Sequence, residues 1–184
     1  MARIVGIAGS LRRASFNAAL LRAAARLAPP GTEVDIASLA GIPLYNADLE
    51  HDPGFPEPVT KLKDRIAQAD GLLLVTPEYN HSLPGVLKNA IDWLSRPPED
   101  APRIFGDKPV AILGASDGRG ATRLAQAAWL PVLHALGTRI WSGKEVYVAN
   151  APEVFDAEGR LIDEKVKKLL AAFMQGFVDF LTAS

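Results

Sequence analysis

Apolar positions along this chain fall into two alternating kinds of run. Short strand-like ones occupy residues 3–8, 33–37, 71–76, 110–114 and 145–148, and the most apolar of them are unbroken. Continuous apolarity, in place of every-other-residue alternation, suits strands covered on both faces. Between them, residues 17–28, 58–69, 84–95 and 120–136 carry helical patterns. A last segment, 163–181, places Val166, Leu169, Leu170, Phe173, Phe177 and Leu181 at helical spacing. Strand and helix thus alternate five times, which predicts an α/β fold. Parallel neighbours need right-handed crossovers, so the expected form is a doubly wound, five-stranded parallel sheet with helices on both faces. No internal repeat and no Ser- or charge-rich linker divides the chain, and one domain over residues 1–184 is expected.

Two segments depart from this rhythm. Residues 39–58 form a long connection holding Pro43, Pro53, Pro56 and Pro58 with Gly41 and Gly54. A connection of that length has a task or a partner, or is a surface loop pinned by its prolines. The second is residues 121–137, apolar around much of the circumference and expected to kink at Pro131. A helix with so little polar surface is covered on more than one side, which favours contact with another subunit.

Composition narrows the function. The chain has 184 residues, 48% hydrophobic, with a net charge of -1, which excludes a disordered segment. Twenty basic residues against twenty-one acidic give no bulk field for a polyanion, so neither nucleic acid nor a membrane surface is an expected partner. Without cysteine, a disulfide scaffold, a zinc ribbon and thiol catalysis are excluded. The opening MARIVGIAGS lacks a signal peptide's apolar region, and a cytoplasmic protein is expected. His51, His81 and His134 are scattered without an i, i+4 pair, so no metal site is expected.

Ligands of open α/β sheets bind outside the carboxyl ends of the strands. Three predicted loops leave those ends: residues 9–16, 77–83 and 115–119. The first, within GSLRRASFN, matches neither GxGxxG nor GxxxxGK[ST]. It places Ser10, Arg12, Ser15 and Asn17 around a helix start, where free amides and the macrodipole attract an anion. That set suits a phosphate monoester held without metal. Equally, Ser15 serves as an ordinary N-cap with Arg12 and Arg13 solvated. In the second, TPEYNHSLPGVLKNAIDW, Tyr79 and Asn80 offer an aromatic surface and amide hydrogen bonds, as a flat heteroaromatic ring requires. Glu78 and His81 read as solvated groups rather than an acid and a base. The third, GASDGRGATR, exposes backbone amides at Ser116, Gly118 and Gly120 with little steric bulk.

The paired motifs GSLRRASFN and TPEYNHSLPGVLKNAIDW, with LYNADLE at 44–50 and the GAS turn at 114–116, resemble the NADPH-dependent FMN reductase family of flavodoxin-like fold. The nearest likeness is to its bacterial quinone, chromate and azo-dye reductases. The resemblance implies that Ser10, Arg12, Ser15, Phe16 and Asn17 hold the FMN phosphate. It implies that Pro77, Glu78, Tyr79 and Asn80 follow the isoalloxazine ring, with Ser116, Asp117, Gly118 and Gly120 on its other side. Asp117 and Arg119 bring charge to that turn. Members of the family are homodimers or homotetramers with the site near the subunit contact.

The chemistry would then be the cofactor's: NADPH or NADH gives hydride to flavin N5, and a quinone or another acceptor (chromate, an azo dye, free flavin) takes the electrons. Such a cycle needs positioning more than a protein acid or base, and no catalytic side chain is expected. Two alternatives are a flavodoxin-type electron carrier, which a near-neutral charge disfavours, and a flavin reductase that releases FMN as a substrate.

Overall fold

In the computed structural model, which describes residues 1–52 and 54–183, five parallel positions form the sheet. Pro53, one of the prolines of the long connection, lies outside the described residues. Strands β1 (Ala2–Ala8), β2 (Thr32–Ala37), β3 (Gly71–Val75), β4 (Pro109–Ala115) and β5 (Arg139–Ile140) run in the order β2-β1-β3-β4-β5. The chain moves outward from β1 to β2, then returns to place β3 on the other flank of β1. Strand order therefore reverses between β1 and β3, the point where such sheets leave a crevice. β3 and β4 are buried throughout, which accounts for their unbroken apolar runs.

The fifth position is split. β5 pairs with Pro109 and Val110 at one end of β4, and β6 (Tyr147–Val148) pairs with Gly114 and Ala115 at the other. Between them the chain leaves the sheet, with Trp141 laid against Phe173 and Phe177. The expected strand over 145–148 is thus reduced to its last two residues. Arg139–Ile140 had no apolar run to announce it, because its pairing comes from β4 and not from local pattern.

Helices α1 (Phe16–Leu27) and α7 (Glu164–Thr182) cover one face, burying Leu20, Leu21, Leu170, Phe173 and Phe177. Ser15 caps α1 by accepting from the Ala18 N–H (3.2 Å), and Asp163 caps α7 by accepting from Val166 (2.8 Å). Gly6 lets α1 lie close: a Cβ there would stand 2.5 Å from Leu21 Cδ1. On the opposite face, α2 (Glu57–Ala67), α3 (Gly85–Leu94) and α5 (Arg123–Ala135) bury Leu62, Ile66, Leu87, Ile91, Trp129 and Leu133. The short α4 (Ala101–Phe105) adds Ile104 and Phe105 to that layer, and α6 (Ala151–Val154) follows β6. α5 runs through Pro131 to Ala135 as one element.

The long connection is held by side chains of α3. Asn89 accepts from the Tyr45 N–H (2.8 Å) and donates to the Pro43 carbonyl (2.8 Å), which also accepts from Trp93 Nε1 (2.9 Å). Glu50, in the single helical turn Ala47–Glu50, accepts from the Tyr45 hydroxyl (2.7 Å) and from Arg96 Nε (2.8 Å). Those bonds hold its carboxyl below the usual carboxylate range, Arg96 first and Tyr45 second.

Candidate functional site

The loops after β1, β3 and β4 converge at the carboxyl end of the sheet around a cavity of about 200 Å³. Ser10, Arg12, Ser15, Phe16 and Asn17 form one wall, Pro77, Glu78 and Tyr79 a second, and Ala115, Ser116 and Asp117 a third. Of the residues singled out from sequence, ten meet here, and Ala115 of the third loop completes the lining. Asn80 sits on the exposed tip of its loop, and Gly118 and Gly120 lie on the exposed turn beyond Asp117.

At the first loop, the start of α1 leaves the N–H groups of Phe16 and Asn17 without acceptors inside the helix. The Arg12 guanidinium lies 5.2 Å above the Phe16 ring, and Ser10 Oγ is 3.5 Å from the Tyr79 hydroxyl. Asn17 works differently from the expectation of a free ligand side chain. It is buried, donates to the Ala115 carbonyl (2.8 Å) and accepts from the Ala115 N–H (2.9 Å). Its amide is spent joining the first loop to the end of β4, leaving only its backbone N–H for an anion.

The second loop is a tight hairpin. Tyr79 and Ser82 exchange both backbone bonds, at 3.1 and 3.0 Å, around Asn80 (φ 51°) and His81 (φ 61°). Positive φ at both central residues is the type I′ turn, here without the glycine that usually relieves it. Glu78 turns inward instead of to solvent: its side chain is 12% exposed and bonds to the backbone of α5. Below it, Thr76 Oγ1 accepts from Trp129 Nε1 (3.1 Å) and donates to the Pro77 carbonyl (2.9 Å).

The third loop begins at Gly114, where a Cβ would meet the Thr76 carbonyl oxygen at 2.1 Å and Thr122 Oγ1 at 2.5 Å. No larger residue fits between the second and third loops there. Ser116 Oγ accepts from the Gly118 N–H (3.2 Å), which folds the turn back. Beyond it the surface is open: no atom lies within 4 Å of where a Gly120 Cβ would be. Donors for an anion at one end, and an aromatic ring and open backbone at the other, fit a phosphorylated flavin. Among the described residues no group of acidic or histidine side chains is arranged to hold a metal ion, and no helix is long and apolar enough to cross a membrane.

A five-position parallel sheet of order 2-1-3-4-5 with a helix start and Arg12 at its first loop has the architecture of a flavodoxin-like fold. The model of the NADPH-dependent FMN reductase family matches residues 2–153. An NAD(P)H-dependent FMN reductase of Pseudomonas aeruginosa is 47% identical over 173 residues, covering 94% of this chain and 91% of that protein. A 2-hydroxy-1,4-benzoquinone reductase of a Burkholderia species is 43% identical, covering 95% and 93%. Among solved structures, the flavoenzyme NAD(P)H:(acceptor) oxidoreductase FerB of Paracoccus denitrificans superposes with a TM-score of 0.88 at 39% identity, covering 98% and 97%. The chain belongs to the NADPH-dependent FMN reductase family, and it is an oxidoreductase whose cofactor is FMN and whose electron donor is a reduced nicotinamide.

Proposed function

We propose that this protein passes hydride from NAD(P)H through bound FMN to quinones, with chromate, azo dyes or free flavin as further acceptors. When bound, the flavin supplies the two-electron chemistry. The protein's part is to bind and orient. Arg12, the Ser10 and Ser15 hydroxyls and the N–H groups of Phe16 and Asn17 hold the phosphate. Pro77, Glu78, Tyr79 and Asn80 border the ring on one side, and Ser116, Asp117, Gly118 and Gly120 on the other. No acid–base side chain is required, and Glu78, the one inward-facing carboxylate beside Tyr79, is already bonded to α5.

The observation that carries this reading is the convergence of the three loops on one cavity, with a helix start and Arg12 at its anion-binding end. The test is steady-state turnover of the FMN-loaded protein with NADPH or NADH and a benzoquinone. Sustained oxidation of the nicotinamide by the protein alone is expected, with flavin retained through gel filtration. Failure to take up FMN at saturating concentration overturns the reading. Retention without turnover points to an electron carrier, and loss of flavin on the column to a reductase that releases it.

The same reading makes the protein a homodimer or homotetramer acting in the cytoplasm as a single domain. The outward face of α5 supports the assembly: Leu124 is 51% and Leu130 47% exposed, with Ala127 and Pro131 exposed on the same helix. Large apolar side chains grouped on one helix face mark a surface made to be covered.

A further inference from the structure

A second cavity, about 480 Å³, opens on the far side of the first loop. Its volume lies within the range of roughly 300–1,000 Å³ usual for small-molecule sites. Arg12, Arg13 and Phe16 of the loop and Arg22 of α1 face Phe155, Asp156 and Glu158 of the segment after α6. Among the described residues, Arg12, Arg13 and Arg22 have no carboxylate partner. The two acids of the wall are already paired with Arg160, which does not line the cavity. Arg160 Nε lies 2.6 Å from Asp156 and its terminal nitrogen 3.0 Å from Glu158, while Asp156 also accepts from the N–H groups of Glu158 (3.1 Å) and Arg160 (2.7 Å).

The interior is therefore cationic although its walls hold acids. Phe16, half-buried, borders it and stacks on the buried Phe155 with ring centroids 6.0 Å apart. Guanidinium forks match phosphate oxygens, and the half-buried Phe16 ring supplies an apolar contact for a flat base. Arg12 is shared with the smaller cavity, so Arg13 and Arg22 are the groups particular to this one.

We propose that this cavity binds a purine nucleoside phosphate. Two sources carry that chemistry: the 2′-phosphoadenosine end of the dinucleotide donor, and a free adenine nucleotide. The proposal rests on the flavin reading above, since FMN is taken to occupy the neighbouring cavity and Arg12.

The test is calorimetric titration of the FMN-loaded protein with 2′,5′-ADP and with AMP, in the wild type, Arg22→Ala and Arg13→Ala. Binding is expected in the wild type, weakened roughly tenfold or more by Arg22→Ala, the loss of one charge-assisted contact. FMN occupancy and melting temperature should not change. If the donor's own adenosine sits here, 2′,5′-ADP competes with NADPH, and Arg22→Ala raises KM for NADPH while kcat is kept. If a free nucleotide sits here, AMP binds and KM is unaffected; both results support the site. Absence of binding by either nucleotide, or binding that both variants leave intact, overturns it. A wild type that never takes up FMN refutes the flavin reading instead, and is seen before any nucleotide is added.

Discussion

Glu78 closes the first turn of α5 from across the site, its Oε2 accepting the Leu124 N–H at 2.9 Å and the Ala125 N–H at 3.0 Å. The residue preceding the helix, Thr122, makes no such bond with its side chain. The other carboxylate oxygen of Glu78 stands 3.5 Å from His81 Nδ1. A helix cap is worth about 1 kcal/mol, and this one also fastens the second loop to the helix that follows the third. Glu78→Ala should lower stability by about 1–2 kcal/mol and weaken FMN binding. Glu78→Gln, which keeps an acceptor, should recover most of both. Thermal melting and flavin titration check this; an alanine variant with wild-type flavin affinity refutes the link.

Arg12 and Arg13 are adjacent but unequal. Only Arg12 borders the smaller cavity. Arg12→Ala should weaken FMN retention roughly tenfold or more, and Arg13→Ala should leave it near wild type. Equal flavin occupancy in the two variants after desalting contradicts the phosphate assignment.

Lys63, though buried, is satisfied by the Arg96 carbonyl and by Asp100 (2.9 Å). Hydrogen bonds from Arg103 and then Lys63 pull the Asp100 carboxyl down to about 2 from 3.8. A carboxylate depressed on folding contributes its full stability above the unfolded value, and that contribution fades as pH falls through the folded one. Asp100→Asn should therefore cost on the order of 2 kcal/mol at pH 7. The gap in melting temperature between variant and wild type should close between about pH 4 and pH 2.

Leu130→Arg, on the exposed side of α5, should leave the fold intact and shift sedimentation toward the monomer. A single buried guanidinium without a partner opposes an apolar contact by several kcal/mol. An unchanged sedimentation coefficient in this variant and in Leu124→Arg removes α5 from the interface.

Asn17→Asp tests the bond pair to Ala115. The substitution retains the acceptor and replaces the donor with a carboxylate facing the Ala115 carbonyl. A loss of about 2–3 kcal/mol in chemical denaturation is expected, larger than that of a surface Asn→Asp change. A neutral result would show that the amide is not required to join loop and strand.

The sheet and its loops were legible because each strand buried on both faces writes a continuous apolar run, and each loop follows one directly. Ten of the predicted site residues line one cavity for that reason. The roles of Asn17 and Glu78 were not legible, since their partners lie 98 and 46–47 residues away and are backbone groups, which carry no residue signature. β5 escaped notice for a similar reason: two residues paired by β4 make no pattern. Arg22 sits at a polar position of α1, and the placement of the segment after α6 makes it a cavity wall.

The split at the fifth position has a consequence for how copies of this molecule can meet. Beside the middle of β4 there is no uninterrupted ladder onto which a foreign strand could be added, because the chain departs between Ile140 and Tyr147. The opposite margin, β2, carries Glu33 and Asp35 among its few residues. Both borders are thereby guarded against edge-to-edge growth. Growth by strand addition is thus discouraged at either margin of the sheet.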